Sequence, residues 1–517
     1  LRSGTPFVLS DKPAGTKQFP QGHYLVPDTN AFLNAMDLFE QSSAFYDVIV
    51  LQVVLEEVRN RSLPLYNRLV GLTKSEDKRF YVFFNEFRLE TYVAREEGES
   101  VNDRNDRAVR KAVRWYGDHL AKTKAKVLPA IVMISNDRDN LRKAKQEGID
   151  ACSLADYVVQ LKDGERLLDM IPQVQDGDIS RDRKPGQQHM YPDHWSLSKM
   201  MTGVKSGLLH QGIFGVSPYN YLEGSIRVPA FPKALIILGR ENINRAVDGD
   251  VVVVEVLPKD QWKVPSNQVV EEEAITKNEN PDAEDGEDMI SEKERKALQE
   301  EVKRTHSKTT EGHAQPTAKV VGIIKRNWRQ YVGHIDQSSV SQSQGRKQDT
   351  VFVIPMDKKI PKIRLRTRQV GELLGKRILV AIDVWDRDSR HPAGHLVRSL
   401  GEIETKAAET EALLLEHDVQ YRPFPKTVLD CLPVEGHEWR VPASTDDPGW
   451  RDREDLRELL ICSIDPIGCQ DIDDALHARP LANGNFEVGV HIADVSHFVK
   501  PNNAMDNEAS IRGTTVY

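Results

Sequence analysis

Apolar and polar positions follow two different rhythms along the chain, and the change falls near residue 190. From residue 22 to about 175, short β-rich apolar runs (His23 to Val26, Asp47 to Leu51, Ile131 to Ser135) are each followed by a segment with apolar residues at helical spacing. Strands alternating with helices predict a parallel sheet covered by helices. From about 197 to 415 the runs shorten and Gly and Pro separate them: Gly212 to Val216, Gly224 to Val228, Lys233 to Ile237, Val251 to Leu257, Lys319 to Ile324, Val351 to Pro355, Ile363 to Thr367 and Arg377 to Ile382. Strands so spaced predict two small β-barrels. A last unit begins near Arg453, runs through Ile461 to Ile464 and Phe486 to Asp494, and breaks off at Tyr517. The expected fold class is multidomain: an α/β domain, two β-barrels and the start of an α+β domain.

Composition refines this picture in three places. The chain has 517 residues, enough for about three or four domains at roughly 150 residues each. Its longest apolar runs fall well short of the roughly 18 residues that would suggest a membrane helix, so no membrane association is expected. Four cysteines (152, 431, 462 and 469) form no CxxC pair, which suits a reducing compartment and gives no structural zinc site. The first residue is Leu and nothing near Tyr517 resembles a domain end, so both ends are expected to be internal to a longer protein.

The net charge of −9 is local. Between Gln268 and Glu301 thirteen acids face four bases, a surplus that accounts for the whole of it. The segment 268–315 reads as a solvated, mobile insertion. Basic stretches at Lys319 to Arg329 and Lys358 to Arg368 leave a polyanionic partner open.

Two strand-like runs of the first domain end in an acid, at Asp28 and Asp137. In a parallel α/β sheet the C-terminal strand ends share one rim, so these two converge there. Glu57, in the helical segment Gln52 to Arg61, and Asp106, expected to open the helical segment Arg107 to Trp115, can reach the same rim; Glu56 and Asp103 are the neighbouring alternatives. Taken singly, each Asp also reads as a helix N-cap and Glu57 as a solvated helix residue. Four carboxylates on one rim repel unless cations sit between them, and divalent metal ions there activate water against a phosphodiester.

In the barrel region, Arg364, Arg366 and Arg368 share one face of a strand by its period of two, a face able to track phosphates or simply to stay solvated. Lys325 to Tyr331 interleaves bases with Trp328 and Tyr331, a combination suited to stacking on single-stranded bases; core packing is the competing role of Trp328. Further on, Asp465, Asp471, Asp473 and Asp474 fall within ten residues, flanked by Ile464, Ile472, Ala475 and Leu476, which are expected to tether the loop to a core. An EF-hand loop starting at Asp471 needs Gly and Glu where Leu476 and Ala482 stand, so that competitor fails. His491, Asp494 and His497 read as a strand followed by a turn, outside any site.

The motifs PDTN at Asp28, LEEVRNRS at Glu57, NDRNDRA at Asp106 and ISNDRDN at Asp137 resemble a PIN nuclease domain, and DPIGCQDIDDAL with VGVHIADVSHFV resembles the opening of the RNB domain of the ribonuclease II/R family. The barrels resemble that family's tandem cold-shock OB-folds. In this order the parts are similar to the branch of the family that carries a PIN domain and works with the exosome.

The resemblance implies a PIN domain over 20–175, a first barrel over 190–340 with the acidic insertion, a second over 341–418, and the N-terminal part of an RNB domain over 453–517. It implies processive hydrolytic 3'→5' release of 5'-mononucleotides from single-stranded RNA at an Mg²⁺ site of Asp465, Asp471, Asp473 and Asp474, the first and last as direct ligands. A PIN endonuclease site of Asp28, Glu57, Asp106 and Asp137 would hold Mn²⁺ or Mg²⁺. Tyr517 falls where the family has a base-stacking Tyr. Single-stranded RNA and a nine-subunit exosome core are the implied partners, in nucleus, nucleolus and cytoplasm, with rRNA processing and RNA decay as the setting. An inactive RNA-binding scaffold is the alternative.

Overall fold

The structure, a computed structural model, describes residues 9–10, 12–41, 44–75, 78–123, 127–172, 189–218, 221–263, 315–340 and 348–516. The acidic insertion, apart from Gln315, and Tyr517 lie outside the described residues. The chain forms two compact units, Leu1–Asp418 and Val419–Tyr517. Among the described residues no helix is long and apolar enough to cross a membrane.

The first unit opens with five parallel strands, β1 (His23–Pro27), β2 (Val48–Leu51), β3 (Phe80–Phe83), β4 (Ala130–Ile134) and β5 (Ala151–Cys152), in the order β3-β2-β1-β4-β5. Every residue of β1 and β2 is buried, which requires cover on both faces of the sheet and explains their unbroken apolar character. The cover comes from α1 (Thr29–Phe39), α2 (Gln52–Arg61), α3 (Leu63–Lys74), α4 (Val101–Ala121) and α5 (Arg138–Gln146). The strand order reverses at β1, which lies between β2 and β4. In open α/β sheets such a reversal leaves a crevice at the C-terminal strand ends. β1 and β4 run in register from His23 opposite Ala130 to Pro27 opposite Ile134, so the residues that follow each strand emerge side by side.

Two barrels follow. The first is antiparallel, from β6 (His210–Val216), β7 (Glu223–Ile226), β8 (Leu235–Leu238), β9 (Val251–Val256) and β10 (Ala318–Lys325), in the order β10-β9-β6-β7-β8. A bridge between Ile236 and Thr317 brings β8 back beside the start of β10. Phe214, Leu235, Ile237, Val252 and Val254 fill its centre. The second barrel is closed: β11 (Gln330–Ile335), β12 (Asp349–Pro355), β13 (Ile363–Thr367), β15 (Ala393–Glu402) and β14 (Lys376–Val384), around Tyr331, Val351, Val353, Leu365 and Val380.

This arrangement moves one expected boundary. β11 lies before residue 341, yet it pairs with β12 and β14 and so completes the second barrel rather than the first. Neither β11 nor β15 was anticipated from the apolar pattern. β11 opens on the polar Gln330 and carries Gly333 in its middle, and the buried run that opens β15 includes Gly394 and His395 among its apolar residues.

The α/β domain is joined to the second barrel through Asp169, which is 3% exposed. Its carboxylate accepts from the Thr367 hydroxyl, the Arg368 amide and guanidinium, and the Gln369 side-chain amide.

The second unit is thinner. A hairpin of β16 (Asp474–Pro480) and β17 (Phe486–Ile492) pairs in register over its full length. In the helix Ala504–Arg512, Arg512 donates to the carbonyls of Gln420 and Arg422 and lies over the Phe424 ring. Ile464 and Ile472, expected to anchor the acidic loop in a core, are 82% and 57% exposed, because a two-stranded sheet offers no second layer to receive them.

Candidate functional site

The crevice at β1 is where the first carboxylates meet. Asp28 follows β1 directly: its amide donates to the Ile134 carbonyl at 2.9 Å, and its Oδ1 caps α1 by accepting from Ala31 N at 2.8 Å. Asp137 follows β4 and caps α5, Oδ1 accepting from Asp139 N at 2.8 Å and Asn140 N at 3.0 Å. The capping role and the site role coexist, since a carboxylate has a second oxygen. That oxygen of Asp28, Oδ2, is buried and has no hydrogen-bond partner.

Glu57 and Asp106 complete the rim from α2 and α4. Glu57 accepts from Thr29 Oγ1 at 2.8 Å and Asn105 Nδ2 at 3.0 Å, and pairs with Arg61 at 2.6 Å. Asp106 does not open a helix, as the sequence suggested. α4 begins five residues earlier, capped by Ser100, whose Oγ accepts from Asp103 N at 3.1 Å. Asp106 therefore sits in the second turn. The alternatives are otherwise engaged: Asp103 is exposed in that capping turn, and Glu56 is exposed and takes a hydrogen bond from Gln52 at 2.7 Å.

Charge accumulates at this rim. Burial pushes the Asp28 carboxyl up to about 6, with Asp137 and Glu57 adding repulsion and hydrogen bonds from Ser135 and Ala31 opposing it. Burial, then the charges of Asp28 and Asp137, push Asp106 up to about 7; Glu57 adds to the rise and Arg110 resists it. Burial first and neighbouring carboxylates second raise both groups, a pattern found where acids gather at a cation-binding site. An orphaned buried oxygen and four hard oxygen donors fit a divalent ion of the Mg²⁺ or Mn²⁺ kind. Among the described residues no three acidic, His or Cys side chains stand close enough to hold an ion as placed, so binding would have to draw these four together.

The second carboxylate set is arranged differently. Asp465, Asp471, Asp473 and Asp474 are all exposed. Asp474 opens β16 opposite Ile492, and the Asp473 carbonyl accepts from Ala493 N at 2.8 Å, so the backbone of the hairpin orders the last two acids. The side chains of all four stand in solvent, and on this observation they do not yet fit an ion. Asp494 caps a short turn by accepting from His497 N, in keeping with the strand-and-turn reading of that segment. Sequence reasoning overlooked His477, buried in the hairpin between His491 at 2.8 Å and Glu487 at 3.2 Å; a His at the buried register of a strand was the available signal.

The proposed RNA-contacting residues divide. On β13, Ile363, Leu365 and Thr367 are buried while Arg366 is exposed and Arg364 partly so, which is the expected alternation. Arg368 falls past the strand end and is held by Asp169 at 2.8 Å, so it serves the joint between domains. Trp328 packs against the core of the second barrel, with the Arg326 guanidinium 4.6 Å from its ring centre and Asp250 pairing that Arg at 2.9 Å. The Arg326 guanidinium thus covers part of a half-buried ring. Tyr517 lies outside the described residues.

Comparison with known proteins agrees with this arrangement. The PIN domain family matches residues 25–155, the Rrp44-like cold shock domain 188–327, the Dis3-like cold-shock domain 2 350–418, and the RNB domain 453–517. In chain order the matches are therefore a PIN domain, two cold-shock domains and an RNB domain. The chain's relatives include the exosome complex exonuclease dis3 of Schizosaccharomyces pombe, 51% identical over 99% of this chain and 51% of the relative. Another is the human exosome complex exonuclease RRP44, 46% identical over 96% and 49%. The chain thus spans about half the length of the curated relatives it matches. Among solved structures, the PIN domain of Trypanosoma brucei RRP44 is similar at 27% identity and a TM-score of 0.25, covering 30% of this chain and 92% of that one. Divalent metal use goes with both nuclease domain types.

Proposed function

We propose that the chain is the PIN-, barrel- and early RNB-bearing part of a metal-dependent ribonuclease that cuts RNA internally at the PIN rim. With a completed RNB domain it degrades single-stranded RNA from the 3' end to 5'-mononucleotides. The observation that carries the PIN half is the convergence of Asp28, Glu57, Asp106 and Asp137 at the switch point of the sheet, with Asp28 Oδ2 buried and unpartnered. Those four residues would hold the ion, Mn²⁺ or Mg²⁺, which lowers the pKa of an attacking water and stabilises charge on a phosphate oxygen. Thr29, Asn105 and Arg61 hold Glu57, and the caps hold Asp28 and Asp137, so the chain's own part is to keep the acids at one rim, from which an ion would draw them together.

The names of the relatives, exosome complex exonucleases, support an exosome as the working context; single-stranded RNA as substrate, a nine-subunit core as partner, and nucleus, nucleolus and cytoplasm as the setting are proposed from the resemblance of the motifs alone. Mg²⁺ is the ion proposed for the RNB acids. The test is a circular RNA, which has no 3' end, incubated with the chain and Mn²⁺. Linearisation that Asp28→Asn and Asp137→Asn each abolish is expected; cleavage that survives both substitutions would end the PIN reading. A second reading, a catalytically inert RNA-binding scaffold, is favoured by the solvent exposure of the RNB acids. RNA binding with neither internal cleavage nor mononucleotide release in the longer protein would establish it.

A further inference from the structure

Arg110 stands one turn beyond Asp106 on α4, hence on the same face of that helix. Its side chain is only 7% exposed. Nη1 donates to Asn140 Oδ1 at 2.6 Å and Nε to Glu147 Oε1 at 2.9 Å, which fastens α4 to both ends of α5. Asn140 is also the residue whose backbone N–H is held by Asp137 at 3.0 Å. One buried guanidinium therefore links the helix that carries Asp106 to the turn that carries Asp137, through a single intervening residue.

Two features make this link more than a helix clasp. A guanidinium has donors only, so it dictates that Asn140 presents its oxygen to Arg110. The Asn140 Nδ2 is consequently left buried with no partner, a costly arrangement that packing alone would not select. The guanidinium is also neutralised by Glu147, which Arg114 grips from outside at 2.6 Å.

We propose that Arg110 is the positioning residue of the carboxylate rim, fixing Asp106 relative to Asp137 through Asn140 and thereby setting the affinity for the divalent ion. The inference rests on the reading of this rim as a PIN metal site. Two effects of the side chain oppose each other in sign. As a through-space positive charge, Arg110 repels an incoming cation, and its removal would tighten metal binding. As a clamp it holds two ligands in place, and its removal weakens binding. With Glu147 screening the charge, the clamp dominates.

The experiment titrates Mn²⁺, followed by the electron paramagnetic resonance signal of the free ion, against the chain carrying Asp465→Asn and Asp474→Asn, so that the second acid set is reduced. Arg110→Gln should weaken binding by about 10- to 100-fold. Asn140→Ala should act in the same direction, and the double variant should be no weaker than the stronger single one, because both break one link. Arg110→Lys, which keeps the charge but not the fork, should recover only part of the affinity. Arg114→Gln, which removes the outer grip on Glu147, should leave affinity unchanged. Equal or tighter Mn²⁺ binding by Arg110→Gln would overturn the proposal, as would an equal loss in Arg114→Gln. If Arg110→Gln does not fold, as judged by its circular dichroism, Asn140→Ala carries the same test with the same outcomes. Should Asp28→Asn and Asp137→Asn themselves leave Mn²⁺ binding untouched, the metal reading of the rim fails, and that result is distinct from a failure confined to Arg110.

Discussion

Arg368 closes on Asp169 twice, with its backbone amide at 2.9 Å and its guanidinium at 2.8 Å, and so binds the last turn of the PIN domain to the rim of the second barrel. The Asp169 side chain is fully shielded from solvent, whereas that of Arg368 keeps 26% exposure. Breaking a buried pair from one side strands the other partner, at a cost of about 3–5 kcal/mol. Asp169→Ala is therefore expected to separate one cooperative denaturant transition of the first unit into two, with the PIN domain and the barrels unfolding independently. Fluorescence and circular dichroism curves that stay coincident in the variant would contradict this.

The acids of the rim should make the metal-free protein less stable than it needs to be. The folded-state pKa of Asp28 is raised to about 6 from an ordinary 3.8. The folded state therefore binds more protons than the unfolded one in that window. This contribution to stability is full below pH 3.8 and is lost as pH rises through about 6. Asn caps a helix about as well as Asp and carries no charge. Asp28→Asn should thus raise the melting temperature of the metal-free chain at pH 8 and leave it nearly unchanged at pH 4, while abolishing cleavage. A variant that is less stable at both pH values would show that the capping contact outweighs the repulsion.

Arg366 and Trp328 should separate RNA binding from stability. Arg366 is exposed on β13, so Arg366→Ala should leave the barrel folded but weaken RNA binding and reduce the slope of log affinity against log salt by about 1. Trp328→Ala should instead destabilise the second barrel, by less than the roughly 3–5 kcal/mol of a fully buried aromatic, since it removes a half-buried ring packed against the core. Urea titration paired with filter binding at several salt concentrations reads both. A large loss of RNA affinity in Trp328→Ala at full stability would restore that residue to the RNA-contacting surface.

Exposure of the second carboxylate set has its own consequence. Transition-state stabilisation needs preorganised charge, and loss of one such donor typically costs about 10²- to 10³-fold. With Asp465, Asp471, Asp473 and Asp474 all in solvent, the chain Leu1–Tyr517 is expected to cut circular RNA in Mn²⁺ but to release no mononucleotides from linear RNA in Mg²⁺. Thin-layer separation of the products of a uniformly labelled substrate decides the matter; a mononucleotide product abolished by Asp474→Asn would refute the expectation.

The sequence disclosed most where local chemistry and tertiary role coincide. Asp28 and Asp137 follow apolar runs and cap helices, so a strand, a turn and a site could be read from the same few residues. Asp106 was harder to place, because Ser100 starts α4 a turn and a half earlier and the polar residues 102–107 mask its helical period. The role of Arg368 was invisible in the pattern of β13, since its partner lies 199 residues away in sequence. β11 escaped for a similar reason: its pairing with β14 is what makes it a strand, and pairing over that distance leaves no local periodicity. Arg110 and Asn140 carry no motif of their own and become meaningful only when α4 and α5 are set side by side.

The hairpin of the second unit bears on how the isolated chain behaves in solution. Phe486, Val488, Val490 and Ile492 line one side of β17 at 61–73% exposure, and β17 has an outer edge without a neighbouring strand among the described residues, whereas that of β16 is bridged at Leu476 by Cys462. A ribbon with an open edge and one greasy side can recruit a strand from another molecule along β17. Arg479 paired with Glu487 at 2.7 Å places charge on the same ribbon, the usual guard against such stacking. That guard is electrostatic and fades with ionic strength, whereas the attraction between apolar sides does not. Concentrated salt should therefore turn this same chain toward turbidity, which sets an upper limit on the ionic strength at which it can be handled as a single species.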